Sequence, residues 1–300
     1  MSENLPMTTR AVQIDRHGGP EVLTVREIAR PALADGEVLI AVAASSLNPV
    51  DWKTRAWEVG PTPPITLGWD LAGRVVAGEV PAHRVGDEVI AMSAQIATGR
   101  GTWAELVALP AHLLASAPAS LPLEDAAALP LAGTTALQAL RAAEPAAGER
   151  VLVTGAVGGV GALAVQLARH TGARVDALVS RPEHRSAAVE SGAERAWHQA
   201  ADLPSGQYHV VLDTAGVDAS HALAHGGRYV SISDEPLPAV PDARKSYVQE
   251  NAADLAYLAR LVDAGELRLR IAERHPFTDV RAAHERFEAR GLVGKVLITF

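Results

Sequence analysis

The sequence predicts an α/β fold in which a doubly wound parallel sheet is combined with a mostly antiparallel β domain. Three observations carry this. From Arg10 to about Ala108 the chain is cut into short, valine-rich, alternating pieces by Gly-Pro and Pro-rich turns. From Leu123 onward, alanine-rich helical patterns alternate with continuous apolar strands, the mark of a parallel sheet covered on both faces. Between strand and helix in "VLVTGAVGGVGALAVQLARHTGARVDALVS", residues 151–180, lies a cluster of glycines.

The antiparallel pieces are "EVLTVREI", "GEVLIAVAASSL", "GRVVAGEV" and "GDEVIAM". The helical stretch "EDAAALPLAGTTALQALRAA" follows, then strands "RVLVTG", "RVDALVS", "HVVLDTAG" and "GRYVSIS". Past about Pro241 come a helix in "SYVQENAADLAYLARLVDAG", the segment "RLRIAERHPF", a helix in "DVRAAHERFEARG" and a last strand, "GKVLITF". A chain of 300 residues exceeds what one core usually serves, so two domains of about 150 residues are expected.

Composition narrows the function. Apolar residues make up 48% and charged residues 21%, and no apolar run approaches the ~20 residues of a membrane helix. Cysteine is absent and the opening "MSENLPMTTR" has no apolar core of a secretory leader, so a cytoplasmic location is expected. A net charge of -8 without a lysine or arginine run argues against nucleic acid, while leaving room for one local phosphate pocket. Neither a membrane nor a nucleic-acid partner is expected.

The glycines carry the first chemistry. Ala156, Gly158 and Gly161 occupy the positions of a G-x-G-x-x-G fingerprint with alanine at the first, and Gly172 stands at the helix stop. A pyrophosphate needs close backbone approach, which a side chain at Gly158 blocks, and amides at a helix N-terminus answer its charge. Dinucleotide binding is therefore expected; the alternative is a tight turn with no ligand. An NAD site places Asp or Glu about 20 residues further on. Here stand Ser180 and Arg181, with Arg185 beyond, a hydroxyl and guanidinium groups that suit a 2′-phosphate, so NADPH is expected over NADH. Arg185 alone also reads as a solvated helix face.

"TGAVGGVG" also fits the opening of short-chain dehydrogenases, which pair it with Tyr-x-x-x-Lys. The only lysines are Lys53, Lys245 and Lys295, and none follows a tyrosine by four positions. His221 and His225 have helical metal spacing, but just before Gly226-Gly227 they read as a helix C-terminus favoured by the dipole. No hydrolase motif is present.

Before and after the turn come "SSLNPVDWKTRAW", "PITLGWDLAGRVV", "HRVGDEVIAM", "GTWAELVALPAHLLASAPASLPLEDAAALPLAGTTALQAL" and "GLVGKVLITF". In this order, from about Arg10 to Phe300, they resemble the medium-chain dehydrogenase/reductase superfamily, within it the zinc-free quinone oxidoreductase and alkenal or enone reductase branch. The resemblance implies a GroES-like substrate domain from residues 1–119 and 246–300, with a Rossmann domain, residues 120–245, inserted. Zinc-dependent members carry Gly-His-Glu where this chain has Gly68-Trp69-Asp70.

The resemblance puts Asn48 and Asp51 beside the nicotinamide ribose and the substrate, with Lys53 at the cleft as a proton donor or oxyanion partner, although a surface lysine reads equally well. It places Thr134 near the nicotinamide, and counts Gly159, Val160, Ala215, Gly216, Ser231 and Ile232 with the fingerprint among cofactor contacts. Thr134 also reads as a hydroxyl at a helix N-terminus. Trp52 and Trp69 are candidates to line an acceptor pocket. Two departures stand out: Gln199 takes the place of a tyrosine near the adenine end, and "DTAGVDASHALAHGGRYV" is short enough to trim one helix. Without metal to polarise an alcohol, NADPH-dependent reduction of a quinone or an α,β-unsaturated carbonyl is expected. Two alternatives stay open: an enoyl reductase acting on a thioester, and an NADPH-binding sensor with little turnover. A homodimer is implied by the resemblance alone.

Overall fold

A computed structural model describes residues 5–57, 60–78 and 80–300; Glu79, inside "GRVVAGEV", and the first four residues of "MSENLPMTTR" lie outside these. The N-terminal part runs β1 (Thr8–Ile14), β2 (Thr24–Ala29), β3 (Glu37–Leu47), α1 (Pro49–Ala56), β4 (Ile65–Thr66), β5 (Asp70–Ala77), β6 (Glu88–Met92), β7 (Leu106–Pro110) and β8 (Leu114–Ser116). Then come α2 (Leu123–Ala126), α3 (Pro130–Ala143), β9 (Arg150–Thr154), α4 (Gly159–His170), β10 (Arg174–Leu178), α5 (Arg185–Glu190), β11 (Arg195–Trp197), β12 (Tyr208–Asp213), β13 (Leu223–Ser231) and β14 (Arg244–Lys245). The chain closes with α6 (Ala252–Asp263), β15 (Ile271–Pro276), α7 (Val280–Glu288) and β16 (Lys295–Thr299).

Six strands form an all-parallel sheet in the order β11-β10-β9-β12-β13-β14, the doubly wound order that reverses direction between β9 and β12. Its central strands are largely apolar because both faces are covered: Val151, Val153, Val175, Ala177, Val210 and Leu212 share one core with α3, α4 and Leu255, Leu258 and Leu261 of α6, while Leu152, Leu178, Val211 and Tyr229 pack in a second. The other large sheet follows β15-β16-β3-β5-β6-β8, with β7 also on β3 and every pairing antiparallel except β15 with β16. A three-stranded sheet, β2-β1-β4, completes the β part.

Two local outcomes differ from the sequence pattern. Helix α1 sits inside "SSLNPVDWKTRAW", where Pro49 opens it and the Asp51 carboxyl accepts the backbone N–H of Asn48 at 2.7 Å. His221 and His225 do not end a helix. The trimmed crossover from β12 to β13 retains only a 3-10 turn, Ser220–Ala222, and β13 already includes His225, so no α-helix dipole acts on this pair, contrary to the sequence expectation.

Register decides which residues meet. Strand β16 pairs with β3 so that Val296 stands opposite Leu47, which brings Lys295 to Asn48 across 247 residues of sequence. The segment just ahead of β16 lies on the glycine turn: Gly158 and Gly294 form a parallel bridge, and the Gly294 N–H donates to the Val157 carbonyl at 2.9 Å.

Candidate active site

The turn between β9 and α4 is built as the fingerprint demands, with one shift. The glycine that needs a left-handed backbone is Gly155, at φ +61°, one residue before Ala156, which is fully buried. A Cβ on Gly161 would overlap the Gly155 carbonyl oxygen, so that glycine lets helix and strand pack. Gly158 is the N-cap of α4 with ordinary dihedrals, φ -72° and ψ 174°, and a Cβ there would meet only the Gly155 oxygen, at 3.3 Å. The space beside it is open. Gly159 instead faces Lys295, whose Cδ would lie 2.5 Å from a Cβ on that glycine.

At the carboxyl ends of β9, β12 and β13 a buried aspartate organises the crevice. Asp213 Oδ1 accepts from Thr154 Oγ1 at 2.6 Å and from the backbone N–H groups of Ala215 and Val217 at 3.1 Å, while Oδ2 accepts from Ser231 Oγ at 2.8 Å. The Ser231 hydroxyl thus serves this network, and Ile232 beside it is half-buried. Gly216, at φ +71°, is packed by Glu235, whose Cγ would lie 2.6 Å from a Cβ there. Lys245 holds that loop by donating to the Ser233 and Glu235 carbonyls.

The ends of β10 and β11 carry the other expected contacts. Ser180, Arg181 and Arg185 are exposed. The Arg185 guanidinium meets His198 Nδ1 at 2.6 Å, and Gln199 also contacts that ring. Arg181 crosses to the loop before β16, lying over Gly291.

Where the two sheets meet, α1, β5, α3 and β16 place a buried polar cluster. Asp70 Oδ1 accepts the Leu131 N–H of α3 at 2.6 Å; Oδ2 accepts Asn48 Nδ2 at 2.8 Å and the Ser46 hydroxyl. The Lys295 ammonium donates to Asn48 Oδ1 and, at 3.3 Å, to the Leu47 carbonyl, and stands 3.5 Å from Asp70. Both ends of the Asn48 carboxamide thus have partners within the protein. Asp51 is fully buried, and its Oδ1 has no partner among the described residues. Burial, with Asp70 adding and the Asn48 N–H and Lys295 opposing, pushes its carboxyl up to about 8. Burial drives the Lys295 ammonium pKa down, while both aspartates hold it up.

Lys53 stands outside this cluster. Its ammonium pairs with Asp234, from the loop after β13, and sits 5.9 Å from the Trp57 ring centre, so the lysine inside the cluster is Lys295. Such a half-exposed pair couples by about 0.2–1 kcal/mol. Lys53→Met and Asp234→Asn are accordingly expected to shift stability by similar small amounts and to leave kcat nearly unchanged. A kcat loss confined to Lys53→Met would return that lysine to the chemistry.

Beside the cluster, Trp69, Met92 and Leu131 pack together, with Val50, Ala94, Ile96 and Val248 against them. The Trp69 Nε1, both amide atoms of the buried Gln95, and the Thr134 and Thr135 hydroxyls lack partners among the described residues. Thr134 lies one turn into α3 and caps nothing. Trp103 is core, edge-on to His284, and Trp52 is edge-on to Trp57. Sequence reasoning missed Asp70, Gln95, Asp213 and Lys295. Only Asp70 carried a signal, through its place in Gly68-Trp69-Asp70.

Known proteins share this fold. Residues 34–119 match the alcohol dehydrogenase GroES-like domain, and residues 183–298 the family described as zinc-binding dehydrogenase. The NADPH-dependent alkenal/one oxidoreductase of Arabidopsis thaliana chloroplasts is 32% identical over 98% of this chain and 80% of its own length. The quinone oxidoreductase of Coxiella burnetii superposes with a TM-score of 0.87 at 29% identity, covering 98% and 99% of the two chains. A mycobacterial protein solved with NADPH gives 0.84 at 26% identity, covering 97% and 100%. The chain belongs to the medium-chain dehydrogenase/reductase superfamily, in its quinone oxidoreductase and alkenal/one reductase branch, and is an oxidoreductase. Zinc does not fit the donors present: the chain has no cysteine, and among the described residues no three His, Asp or Glu side chains gather to hold a metal.

Proposed function

We propose that the protein reduces a conjugated acceptor, a quinone or an α,β-unsaturated carbonyl, with NADPH and without a metal. One observation carries this reading: an open dinucleotide turn is linked through Lys295 and Asn48 to a buried carboxyl whose second oxygen has no partner among the described residues. Bound at the turn, NADPH would supply the hydride. The amides at the start of α4, beside Gly158, suit its pyrophosphate, Ser180 and Arg185 its 2′-phosphate, and Thr134, with its orphan hydroxyl, the nicotinamide end.

The remaining chemistry falls to this chain. The apolar surface of Trp69, Met92 and Leu131 excludes water from a flat acceptor, and Trp69 Nε1 is free to donate to its oxygen. Asp51, protonated at neutral pH, holds a proton at Oδ1 for the developing enolate; the carboxylate left behind is stabilised by the Asn48 N–H and by Lys295 before solvent reprotonates it. Lys53 and Asp234 hold α1 to the loop after β13. Dimerisation is a further part of the proposal.

The test is an acceptor panel of 1,4-naphthoquinone, trans-2-hexenal and crotonyl-CoA, each with NADPH and NADH. Turnover of the quinone or enal is expected, with NADPH binding at least about tenfold tighter than NADH, as one charge-assisted contact of about 1.5–3 kcal/mol dictates. Preference for crotonyl-CoA would favour the thioester reading. Cofactor binding without turnover of any acceptor would favour the sensor.

A further inference from the structure

We propose that Lys295 is a positioning residue that ties the dinucleotide turn to the N-terminus of α1, so that cofactor bound at the turn orders the helix carrying Asp51. This rests on the reading of the turn and of Asp51 given above. Two sets of contacts on one side chain support it. The aliphatic stem packs where a Cβ on Gly159 would stand, and the backbone just before it is joined to the turn through the Gly158–Gly294 bridge and the Gly294 N–H to Val157 bond. The ammonium, at the other end, holds Asn48 Oδ1, the Leu47 carbonyl and Asp70. Asn48 is the N-cap of α1, and its backbone N–H holds the Asp51 carboxyl. The turn, Lys295, Asn48 and Asp51 form one continuous chain of contacts, and Lys295 is the link between its two ends.

A buried lysine also has a duller use, which is to neutralise Asp70. The two uses separate by mutation. Lys295→Met keeps the stem against Gly159 but leaves Asn48 Oδ1 unpartnered and Asp70 uncompensated, a change that destabilises strongly. Pairing it with Asp70→Asn removes both charges. Lys295→Arg keeps a charged donor at the same place.

The experiment measures thermal stability, NADPH affinity by fluorescence titration, hydrogen exchange of residues 49–56 with and without NADPH, and kcat on trans-2-hexenal. In wild type, NADPH is expected to slow exchange across α1 by at least about tenfold, the scale of a modest coupling between sites. In the Lys295→Met/Asp70→Asn variant, stability recovers relative to Lys295→Met and NADPH still binds, but the slowing is lost and kcat stays about 100-fold down, comparable to the loss of a catalytic hydrogen-bond donor. Lys295→Arg restores part of both. Recovery of kcat and of the slowing along with stability would show that Lys295 only compensates Asp70, and would overturn the proposal. So would slowing that persists in Lys295→Met. A wild type that shows the slowing but reduces no acceptor would defeat the proposed function while leaving the link intact.

Discussion

Replacing Asp51 by asparagine is expected to lower kcat on an enone by about 10²- to 10⁴-fold, the range a positioned proton donor contributes, with NADPH binding nearly unchanged. Asparagine is the right probe because its oxygen can still accept the Asn48 N–H that Asp51 accepts at 2.7 Å, so α1 keeps its start. A pH dependence follows. The native carboxyl is held at about 8, chiefly by burial. In the unfolded chain it titrates near the ordinary ~3.9, so the native state keeps a proton that the unfolded state releases between those values. The stability this provides is complete below about pH 4 and is lost as pH rises through about 8. Asp51→Asn does not titrate there. Its melting temperature should therefore gain on wild type as pH climbs from about 5 to about 8, and wild-type kcat should fall above about 8. A constant melting difference would mean that Asp51 is ionised in the native state throughout.

Gly158→Leu is expected to weaken both NADPH and NADH by at least about 100-fold, which corresponds to the loss of about 3 kcal/mol of binding. The protein should still fold. Gly158 has φ -72°, which any residue adopts, and its Cβ position is open except for one oxygen at 3.3 Å. The contrast is Gly161→Ala, whose methyl would overlap the Gly155 carbonyl and disturb the packing of α4, an overpacking that costs about 1–3 kcal/mol of stability. Fluorescence binding curves and melting curves on the two variants separate the effects. Tight NADPH binding by Gly158→Leu would remove the turn from cofactor recognition.

The parts of this protein legible in its sequence are those set by local pattern. The glycine turn, the stop at Gly172 with φ +83°, the apolar strands of the parallel sheet and the alternation in the β part are each decided within about a dozen residues. Helix α1 was not legible, since its eight residues carry little periodicity and its start depends on Asp51 folding back on Asn48. The choice of lysine was not legible either. Lys53 stands next to Asn48 and Asp51 in sequence, and proximity favours it, yet its side chain leaves α1 on the side of Asp234. Lys295 reaches the cluster only because β16 registers against β3, a pairing between the two ends of the chain that no local spacing reveals. Gln95 and Asp213 depend in the same way on burial and on which strand ends adjoin.

The fate of a labelled hydride separates conjugate reduction from carbonyl reduction. With NADPH carrying deuterium at the transferable position of nicotinamide C4, and trans-2-hexenal as acceptor, the product expected is hexanal bearing deuterium at its β-carbon, formed at the same rate with and without EDTA. Deuterium at C1 of hex-2-en-1-ol, in a reaction that EDTA abolishes, would contradict a metal-free conjugate reduction.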